Sequence, residues 1–143
     1  MAKFFNQKTV VDGITFDSKM ESQYYLHLKK MKDEGFVREI ELQPRYLLIP
    51  SFQKKGKTIR KMEYIADFLI TYKDGFQLVV DVKGMLTDSF KIKQKLFDYL
   101  HPKIELRLIT EHKGKWIELK DKPKRKHTLK KVGKQRGKRN VQT

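Results

Sequence analysis

The amino-acid sequence predicts an α/β domain in which a mixed sheet is flanked by helices. Two segments have the apolar spacing of helices, at about residues 18–34 and from Thr87 or Asp88 to about Leu100. The segments between and after them have the alternation or the short apolar runs of strands, so the predicted order is helix, about three strands, helix, strand (α-β-β-β-α-β). A chain of 143 residues is long enough for one such domain and too short for two well-formed cores.

The first helix is defined by its N-terminal sequence. Ser18 at the cap and Glu21 three positions later form a capping box. Apolar residues follow at helical spacing, and Gly35 ends the pattern. A short strand-like piece at residues 9–11 precedes this helix.

The strands are predicted from period-two alternation and from the turn residues that bound it. They cover residues 40–49, 64–72, 76–83, 104–109 and, as a short edge strand, 116–119. Pro44 indicates an edge or a bulge within the first of these segments. Residues 52–62 carry five lysines and arginines around Gly56 and are predicted to form a basic hairpin tip.

The second helix carries two stripes of residues. The stripe predicted to be buried consists of Ile92, Leu96, Tyr99 and Leu100. The polar stripe consists of Lys91, Gln94, Lys95 and Asp98. A polar stripe is usually a solvated face, but this helix begins four residues after Gly84. We therefore expect its N-terminal half to lie near Lys83, where the polar stripe is a candidate phosphate-binding surface.

The charge of the chain is strongly positive and unevenly distributed. The chain has 33 lysines and arginines against 17 aspartates and glutamates, a net charge of +16. Residues 120–143 contain eleven of the basic residues and a single acid, Asp121. We therefore predict a domain at residues 1–119 and a flexible basic tail at 120–143 that binds the backbone of a nucleic acid without reading bases. A solubilising appendage is the alternative explanation of the tail.

Several classes of protein are excluded by composition. The chain has no cysteine, so it has no disulfide and no zinc–thiolate site. It has no apolar run long enough to span a membrane, and residues 1–8 lack the apolar region of a secretory signal. Its four histidines do not have metal-binding spacing, and no glycine-rich phosphate loop is present. A cytoplasmic protein that binds a polyanion is the class that remains, and nucleic acid is the first candidate for that polyanion.

The strongest chemical signal is a pair of aspartates in the hairpin formed by residues 64–72 and 76–83. If the apolar sets of both strands share one face, Tyr72 lies opposite Phe76, and Gly75 takes the left-handed position of a three-residue loop. This register places Asp67 directly opposite Asp81, with Cβ atoms about 5 Å apart. Two carboxylates at that distance repel unless a cation lies between them, so we expect Mg²⁺ or Mn²⁺ there, with Lys83 beside it.

Each of these residues also has a purely structural explanation. Asp67 and Lys83 would each be ordinary polar residues in solvent, and a two-residue turn at Asp74–Gly75 would place the two aspartates on opposite faces. Glu21 has two possible roles. One is that of the N3 residue of the capping box, and the other is that of a third carboxylate that lies at the same site because of its position in the first helix. These two roles of Glu21 are compatible.

Four sequence blocks resemble the PD-(D/E)xK nuclease superfamily, and within it a family of small phage and prophage endonucleases similar to those that resolve Holliday junctions. The blocks are Phe16-Asp17-Ser18-Lys19-Met20-Glu21, Gln43-Pro44-Arg45-Tyr46, Tyr64-Ile65-Ala66-Asp67-Phe68 and Asp81-Val82-Lys83-Gly84. The sequence departs from the superfamily pattern at Ala66, where proline is usual, and at Asp81, where glutamate is common.

The resemblance implies a restriction-endonuclease-like core and a set of functional residues. Asp67, Asp81 and Glu21 would hold Mg²⁺ or Mn²⁺, the carbonyl of Val82 would add a backbone ligand, and Lys83 would serve the attacking water. Members of the junction-resolving branch act as homodimers, so a dimer is expected. The expected location is the cytoplasm, which is that of the host cell if a phage encodes the protein.

The predicted function is that of a metal-dependent DNA endonuclease selective for branched DNA. A nicking or restriction-like nuclease of the same superfamily and a non-catalytic DNA- or RNA-binding protein are the alternatives. The residues expected to contact nucleic acid are Lys91, Gln94 and Lys95 on the second helix, Lys54, Lys55 and Lys57 on the basic hairpin, and Lys124, Arg125, Lys126, Lys130 and Lys131 in the tail.

Overall fold

The computed structural model describes residues 7–121 and contains two helices and eleven strands in that part of the chain. The expected tail contacts at Lys124, Arg125, Lys126, Lys130 and Lys131 lie outside the described residues. The elements are β1 (Thr9–Val11), β2 (Ile14–Phe16), α1 (Lys19–Asp33), β3 (Val37–Leu42), β4 (Arg45–Ile49), β5 (Phe52–Lys54), β6 (Lys57–Ile59), β7 (Met62–Ile65), β8 (Phe68–Tyr72), β9 (Gln77–Val82), α2 (Asp88–Leu100), β10 (Glu105–His112) and β11 (Lys115–Glu118).

A five-stranded mixed sheet forms the centre of the fold. Its strand order is β11-β10-β9-β8-β3, with β9 and β10 parallel and the other neighbours antiparallel. The two parallel strands are joined through α2, since a parallel connection needs a crossover. The predicted α/β class with a mixed sheet and two helices is confirmed.

The helices cover opposite faces of the sheet. Alternate residues of β9 belong to two separate cores: Val80 packs in the core that contains Leu28 of α1, and Val79 packs in the core that contains Phe90 and Phe97 of α2. Because successive side chains of a strand point to opposite faces, α1 and α2 lie on the two sides of the sheet. Burial on both faces explains why β9 is an almost continuous apolar run.

Helix α1 begins and ends where the sequence predicts. The Ser18 hydroxyl accepts a 3.0 Å hydrogen bond from the backbone N–H of Glu21, which is one half of the capping box. Gly35 follows the helix with a φ of +88°, a left-handed conformation that favours glycine. Tyr24 and Leu28 are the residues that bury this helix against the sheet.

Helix α2 has the predicted bounds, but its predicted buried stripe is wrong. Thr87 caps its N-terminus by accepting a 3.1 Å hydrogen bond from the N–H of Phe90. Phe90 and Phe97 face the sheet, whereas Ile92 and Tyr99 are 63% and 82% exposed, Leu100 is exposed as well, and Leu96 packs only at the edge of the core. The helix has two apolar rows, and the row with two phenylalanines buries more apolar area.

Two of the predicted strands are broken in the structure, and the breaks lie against each other. The segment 40–49 is interrupted at Gln43, whose φ is +51°, and the segment 64–72 is interrupted at Ala66 and Asp67. The Gln43 N–H donates to the Asp67 carbonyl at 3.0 Å, and the Ala66 N–H donates to the Pro44 carbonyl at 3.1 Å. β4 and β7 therefore pair as a separate two-stranded ribbon that continues the β3–β8 pair beyond the central sheet.

The break also changes which face each residue occupies. Tyr64 and Ala66 pack in the core under α2, whereas Phe68 and Ile70 pack in the core under α1. Alternation along one continuous strand over residues 64–72 predicts that these four residues share one face. That prediction is wrong, because the chain bends between Ala66 and Phe68 and the alternation is not continuous across the bend.

The register of the β8–β9 hairpin is as predicted. Phe68 pairs with Val80 and Ile70 with Leu78, the register that also places Tyr72 opposite Phe76. Gly75 has a φ of +93° and occupies the left-handed position of the three-residue loop. Neither described helix is long and apolar enough to cross a membrane.

Candidate functional site

Asp67 and Asp81 lie next to each other at the end of the β8–β9 hairpin. The ladder stops at Phe68 and Val80, and the Asp67 N–H donates to the Val80 carbonyl at 3.1 Å. Asp67 is thus displaced from a direct cross-strand pair, but its carboxyl group still lies close enough to that of Asp81 for Asp81 to add to burial in raising the pKa of Asp67. The predicted proximity of the two carboxyl groups is therefore observed, on the face of the sheet that α2 covers.

Each aspartate is held by a further donor from the surrounding structure. Asp67 Oδ2 accepts a 2.8 Å hydrogen bond from the backbone N–H of Val82. Asp81, which is 3% exposed, accepts a 2.6 Å hydrogen bond at Oδ2 from the hydroxyl of Tyr64. Lys83 Nζ lies 3.3 Å from Asp81 Oδ1, so it forms an ion pair with that aspartate. These contacts fix the orientation of both carboxyl groups.

Glu21 joins this cluster from the first turn of α1. It is 5% exposed, and its carboxyl group lies near Asp67, Asp81 and Asp17, which all influence its pKa. Burial raises the pKa of Glu21, and the nearby charges of Asp17 and Asp81 raise it further. Glu21 therefore lies at the capped start of α1 and close to the two aspartates at the same time.

The electrostatics of the cluster favour a shared proton or a bound cation. Burial raises the pKa of Asp67 to about 9, with further contributions from Asp81 and Glu21. Burial alone would lower the pKa of Lys83, but the attraction of Asp81 and Asp67 outweighs burial, so its pKa is raised. Lys83 is therefore a cation at neutral pH, and Asp67 holds a proton.

Tyr64 is a site residue that sequence reasoning missed. Its hydroxyl is buried, and burial followed by the charge of Asp81 raises its pKa well above the ordinary value of a tyrosine. It therefore stays a neutral donor to Asp81. The sequence offered no signal for this contact, because a continuous strand would place Tyr64 and Asp81 on opposite faces of the sheet.

A cavity of about 240 Å³ opens beside Asp81 and Lys83. One wall is β7, with Glu63, Tyr64 and Ile65, and the other is the start of α2. The lysine of α2 that lines this cavity is Lys93, which sequence reasoning also missed. Knowing that Phe90 is buried would have identified Lys93, since it lies three positions later on the same side of the helix.

The structure does not bring Lys91, Gln94 and Lys95 to this cavity. Lys91 forms ion pairs with Asp88 at 3.8 Å and with Asp121 at 3.2 Å. Gln94 is half-buried, and its side-chain amide donates to the Leu106 carbonyl at 3.3 Å. The sequence predicts that these three residues face the site, but they do not line its cavity. The cause is the rotation of α2, which is set by the burial of Phe90 and Phe97 and not by the predicted apolar stripe.

The chemistry of the donor set suits Mg²⁺ or Mn²⁺, which prefer carboxylate and carbonyl oxygens. Glu21, Asp67 and Asp81 lie close together, since the pKa values of Glu21 and Asp67 respond to burial and then to the other carboxyl groups of the cluster. A dication between the three would offset the repulsion of their charges. Within residues 7–121, no group of three or more histidine, aspartate or glutamate side chains has the spacing of an assembled metal site. Binding at all three would therefore require the carboxyl groups to reorient.

The fold and the carboxylate cluster define a mixed α/β protein with a polar site at the end of a central hairpin. Residues 1–118 match the family described as "Protein of unknown function (DUF1064)", and the chain belongs to that family. No curated protein matches the sequence.

Among solved structures, the chain is similar to one described as "Crystal structure of SSO0001", with a TM-score of 0.41 and 18% sequence identity. The similarity covers 79% of this chain and 56% of that one.

Proposed function

We propose that the protein is a DNA endonuclease that hydrolyses phosphodiester bonds with Mg²⁺ or Mn²⁺ and acts on branched DNA. The observation that carries this proposal is the contact between Asp67 and Asp81 on a buried sheet face, with Lys83 and Glu21 beside them. This combination of hard oxygen donors and one lysine matches the requirements of metal-assisted phosphodiester hydrolysis.

A purely structural role explains this cluster poorly. If both were ionised, two carboxylates about 4 Å apart would repel by about 4 kcal/mol at an effective dielectric constant of 20. Burial adds a desolvation cost, and apolar residues at these positions would avoid both penalties. Perturbed carboxyl groups beside a cavity are typical of functional sites.

The arrangement of elements supports a restriction-endonuclease-like core as part of the proposal. One acid comes from the first turn of α1, and two come from an antiparallel hairpin of a mixed sheet. A helix then crosses from β9 to the parallel strand β10. The sequence blocks that resemble PD-(D/E)xK nucleases contribute the site residues Glu21, Asp67, Asp81 and Lys83.

Each residue has a defined part in this proposal. Asp67, Asp81 and Glu21, with the Val82 carbonyl, would hold the ion, which when bound lowers the pKa of water and polarises the phosphate. Tyr64 keeps Asp81 oriented through its 2.6 Å hydrogen bond. Lys83, held by Asp81, orients the attacking water, and Lys93 lines the same cavity as a cation for the phosphate.

Cleavage of labelled DNA by the full-length protein tests this function. The substrates are a four-way junction and a linear duplex of the same sequence, each with Mg²⁺, with Mn²⁺ and with chelator. We expect metal-dependent cutting, faster on the junction. Asp81→Asn should abolish cutting and retain DNA binding. Asp74→Asn, in the loop at the other end of the same hairpin, is the matched control and should cut normally.

The alternative functions are separated by the same experiment. Cutting of both substrates at equal rates would support a nicking or restriction-like nuclease of the same superfamily. DNA or RNA binding without cutting under either metal would support a non-catalytic binding protein. Cutting that persists in Asp81→Asn would refute the assignment of this site.

A further inference from the structure

The hairpin beyond the candidate site forms an exposed basic arm, which we define as residues 52–61. Its strands β5 and β6 pair only with each other within the described chain, and every residue of both strands is exposed. The arm contains Lys54, Lys55, Lys57, Arg60 and Lys61 and no acidic residue. An isolated two-stranded hairpin is only marginally stable. Because every residue of its strands is exposed, packing against the rest of the protein does not explain the composition of the arm.

The two faces of the arm are chemically different. Phe52 pairs with Ile59 and Lys54 pairs with Lys57, so these four side chains share one face. The other face carries Gln53 and Thr58, whose side chains are joined by a 2.6 Å hydrogen bond. Phe52 and Ile59 are 45% and 40% exposed, next to two lysines that face each other. Opposed like charges destabilise a hairpin, so this face carries a cost that a polyanion would relieve.

The turn of the arm carries a second conformational cost. Lys55 and Gly56 have φ angles of +50° and +73°, which is the pattern of a type I′ turn. Asparagine, aspartate and glycine are favoured at the first of these positions, because other side chains are strained there. The chain has lysine instead. Lys55 thus adds a positive charge at a turn position where asparagine, aspartate or glycine would be more stable.

We propose that the face formed by Phe52, Lys54, Lys57 and Ile59 binds the unpaired nucleotides of branched DNA. Phe52 stacks on an exposed base, Ile59 supports it, and the two lysines contact neighbouring phosphates, as in other single-strand binding surfaces. This inference rests on the proposed nuclease function for its choice of DNA among polyanions. It adds an element that selects branched DNA with single-stranded segments over a fully paired duplex.

The position of the arm favours this partner. Glu63, Tyr64 and Ile65 of β7 form one wall of the cavity beside Asp81, and the chain runs from that wall directly into Lys61 and β6. Lys61 of the arm is two residues from Glu63 in the cavity wall, so the base of the arm is adjacent in the chain to the place where a phosphate would bind.

Lys55→Asn provides a test in which stability and binding change in opposite directions. It improves the turn, so amide hydrogen exchange in β5 and β6 should slow. It also removes a cation. The negative slope of log affinity against log salt concentration for junction DNA should therefore become shallower by about 0.7–0.9. Lys73→Asn, in the loop at the far end of the β8–β9 hairpin, is the matched control and should leave that slope unchanged. Binding is measured in chelator, so the result does not depend on cleavage.

Phe52 tests the stacking component. Phe52→Leu should weaken binding of full-length protein to a duplex with a single-stranded gap by roughly 5- to 150-fold, whereas binding to a fully paired duplex should stay within about twofold. Phe52→Trp should retain wild-type selectivity. In the wild-type complex, the fluorescence of 2-aminopurine in the gap should be quenched by stacking, and Phe52→Leu should abolish that quenching.

Each outcome decides the inference separately from the nuclease proposal. Equal losses on gapped and paired DNA in Phe52→Leu would overturn base stacking. Unchanged salt slopes in Lys55→Asn and in the double variant Lys54→Ala, Lys57→Ala would overturn the arm as a DNA surface. Loss of binding to phosphatidylserine vesicles in that double variant, with DNA binding intact, would assign the arm to a lipid surface and overturn it too. Absence of cleavage alone would refute only the nuclease proposal.

Discussion

Replacing Asp67 with asparagine should change how the stability of the protein depends on pH. The pKa of Asp67 is raised to about 9 in the folded protein, from an ordinary value of 3.8. Between these two values the folded state holds a proton that the unfolded state has lost. The stability that this proton contributes is fully present below pH 3.8 and is lost as the pH rises through about 9.

The magnitude follows from proton linkage. One extra proton in the folded state lowers the free energy of unfolding by about 1.4 kcal/mol for each pH unit within this window. Asparagine resembles a protonated aspartate and does not titrate, so Asp67→Asn removes that slope. The difference in unfolding free energy between the variant and wild type should therefore grow by up to about 2.7 kcal/mol from pH 6 to pH 8. This value is an upper limit, because the titration of Asp67 is coupled to Glu21 and Asp81.

Urea unfolding followed by circular dichroism at pH 6, 7 and 8, in chelator, measures this difference. Asp33→Asn, at the exposed C-terminal end of α1, is the matched control and should keep the wild-type pH dependence. Parallel curves for wild type and Asp67→Asn would refute the reasoning, because they would show that Asp67 titrates alike in the folded and unfolded states.

Three further substitutions test other parts of the structure. Tyr64→Phe removes the buried donor to Asp81 and should cost about 1.5–3 kcal/mol of stability in urea unfolding, with a local change in the NMR signals of Val82 and Lys83. Phe97→Ala removes a fully buried ring from the α2 core and should cost about 3–5 kcal/mol in the same assay. Gly75→Ala forces a side chain into a φ of +93° and should cost about 1–2 kcal/mol, measured as a lower midpoint of thermal unfolding.

The features predicted correctly from the sequence are those that local chemistry determines. Helix α1 is bounded by a serine cap and a glycine with positive φ, and α2 begins at a threonine cap. The β8–β9 register follows from the parity of two apolar patterns together with the need for Gly75 in the loop. Each of these features depends on residues a few positions apart, so no knowledge of distant contacts is needed.

The rotation of α2 required information that is not local. The row of Ile92, Leu96 and Leu100 has the larger number of aliphatic residues. The row that packs on the sheet is nevertheless the one with Phe90 and Phe97, because its rings fill the space above the sheet. The ring of Phe97 fills that space and contacts the rings of Tyr46 and Tyr64, which come from β4 and β7. The misplacement of Lys91, Gln94 and Lys95, and the failure to identify Lys93, follow from this single error.

The break at Ala66 and Asp67 is the feature that creates the candidate site, and the sequence conceals it. Tyr64, Ala66, Phe68 and Ile70 alternate with the same period on both sides of the break, so hydropathy alone indicates one continuous strand. In such a strand, Tyr64 would face α1 and Asp81 would lose its buried donor. Because the chain bends, Tyr64 reaches Asp81 from the α2 side while Phe68 packs on the other. A bend that separates two cores thus also orients the carboxyl group on which the proposed chemistry depends.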